Sequence, residues 1–233
     1  MKKSVFFSLL IVAALAVSSC LDGTKDALYS ETTIGNVVLG RFVDDYGGIY
    51  HFTEQTCTGT IDSLNRVIVA CDVLSKISET EVNARLTSFA PVALLTPKSK
   101  SLVPDEILGT DPIHLSQGWF SGDYLNIQYL MSIVPTSATA HTIDLAFDDE
   151  KSTKDHLYFE LRHNGFGEVF GNPEYYSTSA MASGYVSFPI RQLLPSDRKD
   201  VEVTVSWNWY KSNGDSYSTD IEEYSATSVY SIE

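Results

Sequence analysis

Val201-Glu202-Val203-Thr204-Val205-Ser206-Trp207-Asn208-Trp209 is the stretch that decides the fold: its odd positions are all apolar and its even positions all polar. Successive side chains of a strand point to opposite faces, so a period of two predicts a strand with one dry and one wet face. A helix would scatter Trp207 and Trp209 around its circumference, whereas a strand sets both in one core. Asn213-Gly214, a dipeptide suited to a two-residue hairpin turn, follows and leads into Tyr217–Tyr224.

The same reading works outward. Tyr124–Ile133, His141–Asp148, His156–His163, Gly184–Ile190 and Thr219–Ser225 read as strands, Gly165 and Gly167 mark a turn, and Gln192-Leu193-Leu194 reads as one helical turn. Strands at this spacing without a 3.6-residue period predict an antiparallel β-sandwich over residues 113–233. Upstream, the alternating run Val37–Val43 turns through Asp44-Asp45-Tyr46-Gly47-Gly48 into Ile49–Thr53. Arg66–Leu74 and Val82–Phe89 follow, with a helical turn expected in Ser75–Glu81. Four or five such short strands predict a small OB-like barrel over residues 34–95. Pro97, Pro104, Gly109 and Pro112 predict an irregular linker at 96–112, so the expected fold class is all-β with two domains.

The N-terminus reads as an address. Lys2 and Lys3 precede an apolar run, Val5–Val17, too short to span a bilayer, and Val17-Ser18-Ser19 places small residues before Cys20. This is the pattern of a lipoprotein signal peptide, 1–19, with Cys20 as the lipidation site. Fatty acyl chains on its thiol and amine, palmitate among them, contribute about 0.8 kcal/mol of anchoring per buried methylene. Residues 20–33 are polar and read as a tether. Loss of 1–19 removes Lys2 and Lys3 and takes the formal charge from −14 to −16. Such acidity repels phosphates, so nucleic acid is not an expected partner, and the membrane is approached through the lipid anchor alone.

Cys57 and Cys71 remain, with thirteen residues between them, in a compartment that permits disulfides. A Cys57–Cys71 bridge is one expectation and two unlinked thiols, with Cys71 in the core, the other. The pair has no nearby histidines to complete a zinc set, and Asp148–Asp155 lacks the central glycine and final glutamate of an EF-hand loop, so no metal ligands are assigned.

Searching for chemistry turns up no G-x-S-x-G elbow, H-E-x-x-H helix, S-x-x-K box or phosphate-binding glycine loop. His51, His114, His141 and His156 are scattered, and His163 reads as a hydrogen-bonding residue at a turn, beside a polar cluster of Glu160 and Arg162. Asp148-Asp149-Glu150 and Glu222-Glu223 read as solvated turns and a strand edge rather than an acid–base pair. No catalytic residue and no cofactor is expected. Tyr175 and Tyr176, in the loop-like Gly171-Asn172-Pro173-Glu174-Tyr175-Tyr176, are the binding candidates, since exposed rings stack on sugars or anchor protein partners.

Gly118-Trp119-Phe120-Ser121-Gly122-Asp123-Tyr124-Leu125-Asn126-Ile127, Leu157-Tyr158-Phe159-Glu160-Leu161-Arg162-His163-Asn164 and Gly184-Tyr185-Val186-Ser187-Phe188 resemble successive strands of the NigD-like lipoproteins of Gram-negative gut and oral anaerobes. The resemblance covers most of the mature chain and implies an N-terminal OB-like barrel followed by a C-terminal β-sandwich; Cys57 and Cys71 lie outside its pattern. In those organisms acidic residues after the lipidated cysteine, here Asp22 and Asp26, imply display on the outer face of the outer membrane. The family takes its name from a gene near a bacteriocin locus, which implies an immunity role. The resulting expectation is a non-enzymatic envelope lipoprotein that binds a protein or glycan partner. The alternatives are an envelope glycan or peptide hydrolase and a structural scaffold.

Overall fold

Alternation carries most of the described residues into strands. The computed structural model describes residues 26–195, 199–212 and 217–231; the signal segment 1–19, Cys20 and Asn213-Gly214 lie outside them. The chain divides into two compact units, one reaching to Leu94 and the other starting at Leu95.

In the first unit β1 (Tyr29–Val38), β2 (Arg41–Asp44), β3 (Ile49–Gln55), β4 (Arg66–Lys76) and β5 (Glu81–Leu94) form a closed ring. β1 pairs antiparallel with β2 and β4, β2 with β3, and β4 with β5. β3 runs parallel to β5 and closes the barrel in the order β1-β2-β3-β5-β4. Closure removes open sheet edges. Phe42, Tyr50, Val67, Val69, Cys71 and Leu86 fill the interior, with the Phe42 and Tyr50 rings edge to face at 5.4 Å.

Three expectations change here. β1 begins at Tyr29, inside the expected tether, and pairs with β4 from Tyr29 onward. The run Val37–Val43 is not one strand. Leu39 (φ 52°) and Gly40 (φ 74°) form a two-residue turn between β1 and β2, a geometry that needs positive φ at both positions and that a leucine does not announce. Close packing of the hairpin also requires Gly35, where a Cβ would meet the Val43 carbonyl and Asp44 Cα. The helical turn expected within Ser75–Glu81 is instead a tight strand connection, with the Ile77 amide donating to the Glu81 carbonyl at 2.8 Å.

Arg66 and Asp45 form a fully buried ion pair, each side chain 0% exposed. The guanidinium donates to both carboxylate oxygens at 2.8 and 2.6 Å and to Asn36 Oδ1 at 3.2 Å, the bidentate geometry that a desolvated pair requires.

The thiols of Cys57 and Cys71 are both free, so of the two expectations the structure has the unlinked pair with Cys71 in the core, and not the bridge. Cys71 points into the barrel, and burial, with Glu31 and Asp72 nearby, pushes its thiol up to about 12. Cys57 Sγ instead lies 3.9 Å from the Leu86 carbonyl, on the strand residue paired opposite Cys71.

The second unit contains β6 (Lys98–Ser99), α1 (Asp105–Leu108), β7 (Ile113–Ser121), β8 (Tyr124–Ile133), β9 (Thr142–Phe147), β10 (His156–Asn164), β11 (Ala180–Pro189), β12 (Asp200–Ser212) and β13 (Tyr217–Ser231). β8 pairs antiparallel with β7 and β11 in one sheet. The other sheet has the order β13-β12-β10-β9-β6. Val201, Val203, Val205, Trp207 and Trp209 of β12 are buried together with Leu157, Phe159 and Leu161 of β10 and with Leu125, Ile127, Val186 and Phe188 of the other sheet. Two β-sheets packed on one apolar core make this a sandwich.

The sandwich is mixed, because β10 runs parallel to β12 and β6 parallel to β9. Between β10 and β12 the chain crosses to the other sheet as β11 and returns, which restores its direction. The segment 96–112 belongs to this unit rather than linking two. Its prolines forbid long elements but leave room for the two-residue β6, whose Lys98 ammonium lies 2.7 Å from Asp144, and for the single turn α1. The turn expected at 192–194 is a 3-10 turn at Arg191–Leu193.

Asp45→Ala should destabilise the first unit by about 3–5 kcal/mol, because it strands a buried guanidinium, while Asp45→Leu combined with Arg66→Met recovers most of that loss. Denaturant titration with an unchanged m-value checks it. Native alkylation at pH 8 should leave Cys71 unmodified, whereas alkylation in denaturant labels both cysteines; peptide mass spectrometry without reduction would expose any bridge.

Candidate functional site

Parity along β10 generates the site. Leu157, Phe159 and Leu161 face the core, so two residues on His163 is buried as well, with 0% exposure. A buried imidazole needs partners. His163 Nδ1 lies 3.0 Å from the Pro112 carbonyl and its Nε2 3.0 Å from His141 Nδ1. A carbonyl can only accept, so His163 Nδ1 carries the hydrogen, Nε2 accepts, and His141 donates from Nδ1. His141 Nε2 then faces Glu168 Oε2 at 3.8 Å. Glu168 Oε1 accepts from the Ser137 and Thr139 hydroxyls at 2.8 and 2.6 Å, which draws its carboxyl below the usual carboxylate range.

Neighbouring residues extend the clasp. Asp111 Oδ2 accepts from the Gly165 and Gly167 amides at 2.8 and 3.3 Å. The Asn164 side chain accepts from the Phe166 amide at 3.1 Å and donates to the Glu106 and Ile107 carbonyls at 3.2 and 3.3 Å. On the opposite face of β10, Arg162 donates to the Gly109 carbonyl at 2.7 Å and pairs with Glu160 and Asp105 at 2.8 and 2.7 Å. Gly109, at φ 76°, is required there: a Cβ would enter the backbone of His163 and Asn164. Three segments, 105–112, 134–141 and 165–179, are thus tied together at one end of the sandwich.

What the clasp holds is a loop that displays rings. Phe166 sits at φ 55°, a left-handed conformation costly for a non-glycine residue, and is 63% exposed. Tyr176 is 56% exposed, its ring propped on Phe170 at 4.6 Å, which in turn meets Tyr210 edge-on at 5.7 Å. The Phe170 amide donates to Ser132 Oγ at 2.9 Å. Of the two tyrosines singled out from sequence, Tyr176 faces solvent, whereas Tyr175 is half-buried and its carbonyl closes a turn with Thr178 and Ser179. Phe166 escaped the sequence reading; an aromatic residue between two glycines, Gly165-Phe166-Gly167, is the signal that would have found it.

A second feature lies on the wet face of the five-stranded sheet, a groove of about 270 Å³. Short side chains of β12 and β13, Thr204, Ser206 and Ser225, line it alongside the taller Tyr158 and Glu160. The Lys100 ammonium bonds Glu160 at 2.6 Å and Asp148 at 3.3 Å. His156 stacks on the Tyr158 ring at 4.1 Å, and Lys151 Nζ lies 4.1 Å from the ring centre. Asp149 accepts from Ser99 and Ser101, so both aspartates of the acidic stretch after β9 are occupied by internal partners. Among the described residues no group of three or more His, Cys, Asp and Glu is placed to hold a metal ion.

Burial lowers the pKa of His163, with nearby His141 adding to the effect, and burial also lowers that of His114. The unfolded imidazoles take up protons around pH 6.5 and the folded ones only at lower pH. Within that window the unfolded chain binds more protons, so stability falls as pH drops below about 6.5. Urea unfolding from pH 7 to pH 5 should show this decline, and combining His163→Gln with His114→Gln should flatten it.

A family model for the NigD-like C-terminal beta sandwich domain matches residues 95–221, more than half of the chain. No curated protein matches. Among solved structures, a protein of unknown function from Bacteroides vulgatus aligns with a TM-score of 0.61 at 18% identity, over 88% of this chain and 92% of its own. A NigD-like immunity protein from Bacteroides caccae gives 0.57 at 18% identity, over 85% and 92%. A candidate lipoprotein from Bacteroides fragilis gives 0.53 at 15% identity, over 85% and 97%. Identities this low carry the fold alone. With the family model spanning the unit that holds the clasp, the chain belongs to the NigD-like proteins.

Proposed function

We propose that this chain is a non-enzymatic outer-membrane lipoprotein, anchored through Cys20, that binds a partner through the clasped end of its sandwich. The observation that carries this reading is Phe166: an aromatic side chain held in a left-handed conformation and 63% exposed. Backbone strain of about 1–3 kcal/mol persists where surrounding structure over-determines it, and such positions cluster at ligand clamps. Loops fixed by a rigid scaffold are where recognition concentrates. The name of the Bacteroides caccae structure supports an immunity role as one form of partner binding.

Anchoring draws support from the Val17-Ser18-Ser19-Cys20 box and from the candidate lipoprotein of the same fold. Among the described residues no helix is long and apolar enough to cross a membrane. Asp22 and Asp26 favour the outer face. A hydrolase has less support, because Glu160 and Asp148 of the groove are both bound to the Lys100 ammonium, while general acid catalysis needs a carboxyl that reaches the leaving group. A glycan ligand is the second reading, favoured by the groove's mixture of hydroxyls, carboxylates and ammonium groups.

Cys20→Ala should move the protein from the detergent to the aqueous phase in phase partitioning; unchanged partitioning would remove the anchor. Against a partner captured from intact envelopes, Phe166→Ala with Tyr176→Ala should weaken binding at least about thirtyfold, the equivalent of 2 kcal/mol, with Tm nearly unchanged. Unaltered binding would place recognition elsewhere, and a large drop in Tm would make the rings structural.

A further inference from the structure

Positive charge is spread unevenly along this sequence: no Lys or Arg occurs from 101 to 150, nor from 163 to 190. Folding gathers parts of both stretches at the clasped end, where hydrogen bonds join 105–112, 134–141 and 165–179. Carboxylates there include Asp105, Glu106 and Glu174, all exposed. Arg162, the cation reaching this end from β10, is only 11% exposed and is bound to Glu160, Asp105 and the Gly109 carbonyl. Its charge is therefore internally compensated.

Exposed apolar side chains occur at the same end. Ile107 is 57% and Phe166 63% exposed, and the single side-chain amide of Asn164 bonds the backbones of both, which brings the two chain segments together. Large exposed apolar side chains rimmed by polar groups mark an interaction surface, and among the described residues at this end exposed carboxylates outnumber the exposed cation, Lys211 at the end of β12. The rim decides what it takes up, because like charge repels and opposite charge both steers encounter and fixes register. Phosphate-rich and anionic lipid surfaces are thereby disfavoured.

Resting on the partner-binding reading, we propose that Ile107, Phe166 and the carboxylates of Glu106 and Glu174 form a docking surface for a cationic, amphipathic polypeptide segment. Its apolar side chains pack on Phe166 and Ile107 while its Lys or Arg side chains pair with the acidic rim. The clasp keeps the two apolar residues in place before binding, so little ordering entropy is lost on association.

The test uses the full mature chain carrying Cys20→Ala and two synthetic probes, a helical Lys/Leu peptide and its Glu/Leu counterpart. The Lys/Leu peptide should bind, more weakly as salt rises from about 0.05 to 0.3 M, over which screening shortens, and the Glu/Leu peptide should not. Ile107→Ser with Phe166→Ser, which leaves the charge unchanged, should weaken binding at least tenfold with Tm preserved. Glu106→Gln with Glu174→Gln should reduce the salt dependence. Equal binding of both peptides, or binding indifferent to the Ser variant, overturns the proposal. An acidic or glycan partner captured from envelopes and lost on Phe166→Ala overturns it too, while leaving the partner-binding reading intact.

Discussion

The dry face of β12 is the constraint on which the sandwich depends. Val201, Val203, Val205, Trp207 and Trp209 are all buried, and because the period is two, a slip by one residue would drive Glu202, Thr204, Ser206 and Asn208 into the core. That sets the register of β12 against its neighbours. β10 lies parallel beside it with Leu161 opposite Trp207, so the parity of β10 is inherited: Leu157, Phe159 and Leu161 inward, Tyr158, Glu160 and Arg162 outward. Both functional features follow. The inward series ends in His163, and the outward series walls the groove and supplies Arg162.

His163 converts a rule of packing into a polar network. An imidazole left without partners inside a core is costly, and here the Pro112 carbonyl and His141 satisfy both its nitrogens. Through His141 and Glu168, whose Oε1 engages Ser137 and Thr139, the network reaches the connection between β8 and β9. Through Asp111 and Asn164 it reaches the backbone around Phe166. The strain at Phe166 is thus held by groups whose own burial makes them unwilling to let go.

The N-terminal unit solves a different problem with the same alternation. A unit of five strands has little area with which to bury a core, and the parallel β3–β5 pairing closes them into a ring without open edges. Inside that small volume the chain carries an Arg66–Asp45 ion pair with both side chains fully buried. A bidentate pair of this kind is weak evidence of stability in itself, but removing either partner is strongly destabilising.

Strand positions in the second unit were legible because alternation is local: Tyr124–Ile133 was read with the bounds it has, and Trp207 and Trp209 were read as core. The burial of His163 was implicit in the same parity, yet its partners, Pro112, His141 and Glu168, come from three separate segments that no spacing rule connects. The β1–β2 turn at Leu39-Gly40 was illegible because leucine carries no signal for positive φ; only the pairing of the two strands imposes it. Tyr176 and Tyr175 looked alike in sequence, and contact with Phe170 and a turn carbonyl separated them. By itself the sequence determined the all-β class, the acidic charge and the dry face of β12, since each rests on residue type and period. Tertiary structure alone decided the parallel course of β10 beside β12, the free thiols, the clasp and the exposure of Phe166, because each depends on which distant backbone groups closure brings within hydrogen-bonding reach.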